Sequence, residues 1–158
     1  LRAGFYAPEL VGKFWRWEGI DRFSTEGKGE KVATMENFMC VYDSIGLCKF
    51  SRGFFLIDKL REVIKAITGL EFTEEELLRA GERIHNMKGN FNVLQGVTRK
   101  DWLLPPRILE DPIPDGPSKG SKISVEEMNK MLDDYMAFRK WDHEGVPSPE
   151  KLKELDIA

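Results

Sequence analysis

The string Asp43-Ser44-Ile45-Gly46-Leu47-Cys48-Lys49-Phe50 holds the most concentrated chemistry in the chain. A carboxylate, a glycine and a thiol follow one another at the end of one helical pattern and in the loop beyond it. The helix dipole disfavours a carboxylate near a C-terminus, so Asp43 suits a donor-rich partner better than it suits its own helix. Gly46 permits a sharp turn and the close approach of another molecule. Cys48 lies just past the helix end, off the hydrogen-bond ladder, where a thiolate can serve as a metal ligand. Such a corner fits a cofactor that bears both N–H donors and a metal. The pattern leaves a plain alternative open, with Gly46 as an ordinary helix stop, Asp43 solvated and Cys48 a buried apolar residue, as free cysteines commonly are.

The remaining reactive residue types point elsewhere. Cys40 lies in an apolar helical segment and reads as a core thiol. His85 and His143 lack the spacing of a zinc site and read as packing or surface histidines. Arg99, Lys100 and Arg107 could form a basic edge for an acidic partner, but a solvated loop is the favoured reading. Trp15 and Trp17 suit either a core or the surface of another domain.

The elements that must position these residues are helical. Val32, Met35, Phe38, Met39 and Tyr42 recur at three- and four-residue spacings, which predicts a helix over about 30–45 with Gly46 as its left-handed stop. A second helix over about 55–68 has the stripe Ile57, Leu60, Ile64 and Ile67, stopped by Gly69. A third opens on a Thr73/Glu76 capping box, with acidic residues where the dipole favours them, and its stripe is Leu77, Ala80, Ile84, Met87 and Phe91. Gly81 and Gly89 interrupt it and mark close packing or a kink. Residues 96–123 contain Pro105, Pro106, Pro112, Pro114 and Pro117 and read as a long irregular connection. Ser124 and Glu127 open another capped helix, faced by Met128, Met131, Leu132 and Tyr135. Ser148-Pro149-Glu150 opens a short last one. A short helix is predicted over 9–14, then a polar loop over 18–31. No alternating strand pattern appears, so the class is all-α: an irregular domain of about five to six helices with a Pro-rich connection.

Composition bounds the rest. The chain has 158 residues, the size of one domain, and 41% are hydrophobic, enough for a core without staples. Its 24 basic and 27 acidic residues give a net charge of −3, which argues against nucleic-acid binding. The longest apolar run, Phe38–Tyr42, is far below the roughly 20 residues of a membrane span. Two cysteines exclude a disulfide scaffold and predict a reducing, cytoplasmic setting.

Asp43-x-x-Gly46-Leu47-Cys48 resembles the pterin- and cluster-binding motif in the C-terminal helical domain of the tungsten-containing aldehyde:ferredoxin oxidoreductases. The resemblance continues through Arg83-Ile84-His85-Asn86, Phe91-Asn92-Val93, Gly96, Thr98-Arg99-Lys100-Asp101 and Leu104-Pro105-Pro106-Arg107. It ends in Trp141-Asp142, Gly145-Val146-Pro147 and Pro149-Glu150-Lys151-Leu152. It implies an enzyme with a bis-pterin tungsten or molybdenum cofactor. Such an enzyme oxidises aldehydes to carboxylic acids and passes electrons through a 4Fe–4S cluster to ferredoxin. By the same resemblance, Asp43 accepts hydrogen bonds from one pterin, the Leu47 backbone beside Gly46 touches it, and Cys48 gives the cluster one ligand. A 4Fe–4S cluster takes four thiolates. This chain has two cysteines, of which only Cys48 fits the motif. The other ligands and a second pterin motif therefore belong to other domains of the family. With a first residue that is Leu1 rather than methionine, the expectation is an excised or separately encoded C-terminal domain, 1–158, inactive alone. The competing expectation is a helical interaction module that kept the fold without the cofactor. The choice among aldehyde, formaldehyde, sugar-aldehyde phosphate and aromatic acyl-thioester substrates stays open.

Overall fold

The computed structural model describes residues 24–157; the expected helix over 9–14 and the Trp15/Trp17 pair lie outside them. The described residues form six α-helices and two 3-10 helices. The α-helices are α1 (Lys28–Ser44), α2 (Ile57–Thr68), α3 (Glu74–Leu94), α4 (Pro106–Glu110), α5 (Val125–Arg139) and α6 (Pro149–Glu154). Strand-type pairing among the described residues is limited to one isolated bridge, Trp141 with Pro147, so the domain is all-α.

Local chemistry explains most of the boundaries. Thr73 Oγ1 accepts from Glu76 N at 3.1 Å, and Glu76 Oε2 accepts from Thr73 N at 2.7 Å. Ser124 and Glu127 make the same reciprocal pair at 3.1 and 2.8 Å, and Ser148 caps α6 from Lys151 N at 3.1 Å. Residues 96–123 are more ordered than the proline count suggests. Thr98 N donates to Asp101 Oδ2 at 2.8 Å and starts a 3-10 turn over Arg99–Trp102. Pro106 occupies the first turn of α4, where its missing N–H costs nothing.

The long helix α1 packs against both α3 and α5, and the closeness of those contacts decides which faces are buried. A Cβ at Gly29 would collide with the backbone of Tyr135, and one at Gly81 with the carbonyl of Asn37. Gly29, expected in a polar loop, thus belongs to the first turn of α1. Gly89 lies against the Trp141 ring, where a Cβ would stand 2.5 Å from Cη2. The close-packing reading of Gly81 and Gly89 therefore holds. The apolar stripe predicted for α3 is displaced: its buried residues are Leu77, Gly81, Asn86 and Gly89, while Met87 and Phe91 are exposed. Ile67, at 79% exposure, likewise leaves the predicted face of α2. In α3 the close backbone contact with α1 turns a small-residue face inward at the expense of the larger side chains; in α2 it is Ile57 and Leu60 that are buried.

Two buried clusters result. Met35, Phe38, Val41, Tyr42, Ile57, Leu60 and Leu77 form one, and Ala33, Tyr135, Met136 and Trp141 the other. Because α1 contributes to both, its position is set from both sides, and its C-terminal end carries the candidate site.

Candidate functional site

The end of α1 is built by two backbone bonds. Gly46 N donates to Asp43 O at 3.1 Å and Leu47 N to Tyr42 O at 3.3 Å, with Gly46 at φ +73°. This is a Schellman turn, and the left-handed residue it needs is the glycine. A Cβ at Gly46 would meet nothing within 4 Å, so the space over the turn is open. Asp43 is exposed, and Leu47 is half-buried against the first core cluster.

Cys48 follows in extended backbone, φ −68° and ψ 127°, and opens the 3-10 turn Lys49–Gly53. It is exposed. Its carbonyl accepts from Ser51 N at 2.9 Å and from Ser51 Oγ at 2.7 Å. Ser51 Oγ in turn lies 2.8 Å from the hydroxyl of Tyr42, which is fully buried in the core. Phe50 lies in this turn and Phe54 directly after it, each 81% exposed. The plain reading of Cys48 as a core thiol is thereby overturned, and carboxylate, open glycine turn and thiol share one exposed corner. Cys40 behaves as expected: it is buried, and burial pushes its thiol up.

The other singled-out residues do not join this corner. Arg99 is buried, not part of a basic edge or a solvated loop. Its guanidinium donates to His143 O at 3.0 Å and Asn129 O at 3.2 Å and pairs with Asp133 at 2.7 Å. Lys100 and Arg107 remain exposed. His143 is a surface histidine 3.3 Å from Asp133, and His85 a packing histidine stacked on Trp141.

Sequence reasoning missed a buried polar cluster at the junction of α1, α3 and α5. Arg139, only 1% exposed, donates to Ala33 O at 3.0 Å, Asn37 Oδ1 at 3.1 Å and Glu36 Oε2 at 2.9 Å. Tyr135 donates to the same Glu36 oxygen at 2.7 Å and lies 2.9 Å from His85 Nε2. Burial, reinforced by the Arg139 charge, lowers the His85 pKa to about 4. The imidazole is thus neutral near pH 7, and its Nε2–H can donate to Tyr135. An arginine and a glutamate in amphipathic helices normally read as solvated, so the pattern gave no signal of this cluster.

The family model described as "Aldehyde ferredoxin oxidoreductase, domains 2 & 3" matches residues 1–157. The chain belongs to the aldehyde ferredoxin oxidoreductase family. It is 35% identical over 153 residues to the tungsten-containing aldehyde ferredoxin oxidoreductase of Pyrococcus furiosus, covering 96% of this chain and 24% of that protein. The Thermococcus kodakarensis protein of the same description is 33% identical with the same coverage. An aliphatic sulfonate oxidoreductase, WOR-like subunit, of Pyrococcus furiosus is 33% identical over 89% of the chain. The chain thus spans about a quarter of the length of the curated relatives it matches. Among solved structures, the active-site complex BamBC of benzoyl coenzyme A reductase, bound to 1,5-dienoyl-CoA, superposes with a TM-score of 0.67. It is 21% identical and covers 88% of this chain and 20% of that one, a likeness of fold.

The corner offers side-chain types able to ligate a metal and to accept hydrogen bonds. Cys48 is an exposed thiol and Asp43 an exposed acceptor, which is the donor chemistry that a cluster and a pterin need. Among the described residues there is no group of three or more His, Cys, Asp or Glu able to hold a metal ion. No described helix is long and apolar enough to cross a membrane.

Proposed function

We propose that this chain is the C-terminal part of a cytoplasmic tungsten or molybdenum bis-pterin oxidoreductase. That enzyme oxidises aldehydes to carboxylic acids and passes electrons through a 4Fe–4S cluster to ferredoxin. The carrying observation is that Asp43 and Cys48 are both exposed, one in the Schellman turn at the end of α1 and the other just past it. In this reading the Asp43 carboxylate accepts hydrogen bonds from pterin N–H groups. Gly46 leaves room for the ring system, and the Leu47 backbone lies against it. The Cys48 thiolate supplies one of the cluster's ligands, and the remaining domains of the enzyme supply the others. When bound, the metal-pterin provides the oxidising centre and the cluster the outlet for electrons. Within the described residues 24–157, α1 belongs to both buried clusters, which supports reading the chain, 1–158, as one domain.

The test is metal analysis of the complete enzyme. Asp43→Ala removes an acceptor of charge-assisted hydrogen bonds, each worth about 1.5–3 kcal/mol. It should lower tungsten or molybdenum occupancy more than it lowers thermal stability, and full occupancy would refute the assigned role. The rival, a helical interaction module without cofactor, finds support in the exposed Phe50 and Phe54. It requires that neither Asp43→Ala nor Cys48→Ser alter the metal content.

A further inference from the structure

The peptide that carries Cys48 is held by a side-chain relay that reaches into the core. Ser51 spends its hydroxyl proton on the Cys48 carbonyl at 2.7 Å, while its N–H reaches the same oxygen at 2.9 Å. With that proton committed, the Tyr42 hydroxyl is the donor in the 2.8 Å bond to Ser51 Oγ. The direction is therefore Tyr42 O–H to Ser51 O–H to the Cys48 carbonyl. Tyr42 is anchored at the other end: its ring is fully buried and packs 5.7 Å from that of Phe38. The Ser51 carbonyl also accepts from Phe54 N at 2.9 Å and Phe55 N at 3.2 Å, so the turn is tied at its far side as well. Leu47 and Cys48 are otherwise a short bridge between a helix end and a 3-10 turn. The tie adds to the packing of Leu47 on the first core cluster, so the backbone is held on both sides of the Cys48 side chain.

We infer that Tyr42 and Ser51 are positioning residues for Cys48: through the Cys48 carbonyl they fix the backbone from which its sulfur projects. This rests on Cys48 being a cluster ligand. Groups that orient a ligand, and the hydrogen bonds around it, tune a cluster's potential and spectrum. Two hydroxyls acting through one carbonyl act as a unit, so their effects should not add.

The experiment uses the complete enzyme with Cys48→Ser, Ser51→Ala, Tyr42→Phe and Ser51→Thr, and the Ser51→Ala/Tyr42→Phe pair. Each is read by iron content, by the EPR spectrum of the reduced cluster, by its midpoint potential and by thermal unfolding. Ser51→Ala should shift the potential and the EPR line shape with iron retained. Tyr42→Phe, which removes one oxygen and keeps the buried ring, should shift them the same way by less. The double variant should match Ser51→Ala, and Ser51→Thr, which keeps the hydroxyl, should restore the wild-type signature. If Cys48→Ser abolishes the signature while Ser51→Ala and Tyr42→Phe leave it unchanged, the positioning inference alone fails. Additive shifts in the double variant would likewise reject the relay. If Cys48→Ser leaves iron content and spectrum intact, the ligand assignment fails and the inference falls with it.

Discussion

Two cysteines eight positions apart meet opposite environments, and their reactivity should show it. Cys40 is enclosed between α1 and its neighbours, and burial pushes its thiol up. Cys48 is exposed beyond the glycine turn. Native-state alkylation of the 158-residue chain with mass mapping should label Cys48 first; preferential labelling of Cys40 would contradict the structure. His85 offers a second test at this scale. Its folded pKa, about 4, lies below the ordinary value of 6.5. Between those values the unfolded chain binds the extra proton, so stability is full above about pH 6.5 and falls as pH drops toward 4. A shift of that size corresponds to about 3 kcal/mol across the window. His85→Gln should flatten the slope of unfolding free energy against pH between 4 and 6.5, and an unchanged slope would assign it to other groups.

Elements in this fold are held by contacts that only glycine tolerates. Alanine is the better helix former by about 1 kcal/mol, so an exposed Gly→Ala change would stabilise. At Gly81 the new methyl would enter the backbone of Asn37, and at Gly29 that of Tyr135. Neither neighbour is a flexible side-chain end, so α1 must move away from its partners. Gly81→Ala and Gly29→Ala should each destabilise by about 1–3 kcal/mol in denaturant melts. A gain in stability would mean that α1 packs less closely than the structure has it. The Arg139 contact works at the same level. One guanidinium grips Ala33, Glu36 and Asn37, which lie within about one turn of α1. Arg139→Met would leave the Ala33 carbonyl and the Asn37 side-chain oxygen without their donor and the half-exposed Glu36 without its cation, at a cost of about 1–3 kcal/mol in the same melts.

At the scale of the whole molecule, the exposed Cys48 stands beside an apolar border. Phe50 and Phe54 stand out from the same turn as Cys48, while Tyr42 anchors that turn to the core. Of the two thiols, only Cys48 is accessible, and a 4Fe–4S cluster takes four thiolates. Anaerobic reconstitution of the 158-residue chain should therefore yield no stable cluster and no aldehyde oxidation. Four irons per chain would show that the ligand set is satisfied in some other way.

Much of this molecule is legible in local sequence because capping and glycine stops are short-range chemistry. The Thr73/Glu76 and Ser124/Glu127 boxes, the left-handed Gly46 and Gly69, and the all-α class all follow from residues within a few positions of one another. The Asp43–Cys48 string was legible as chemistry too, since its residue types and spacing are local. What local pattern could not reveal is which face of each helix turns inward. That choice belongs to interhelical distance: where α1 approaches α3 at Gly81 and α5 at Tyr135, small residues are buried, and Met87 and Phe91 of α3 are left outside. The same holds for charge. Arg99 and Arg139 look like surface residues until partners up to 106 positions away close around them. Their burial depends on paired acceptors, which only the assembled fold brings together.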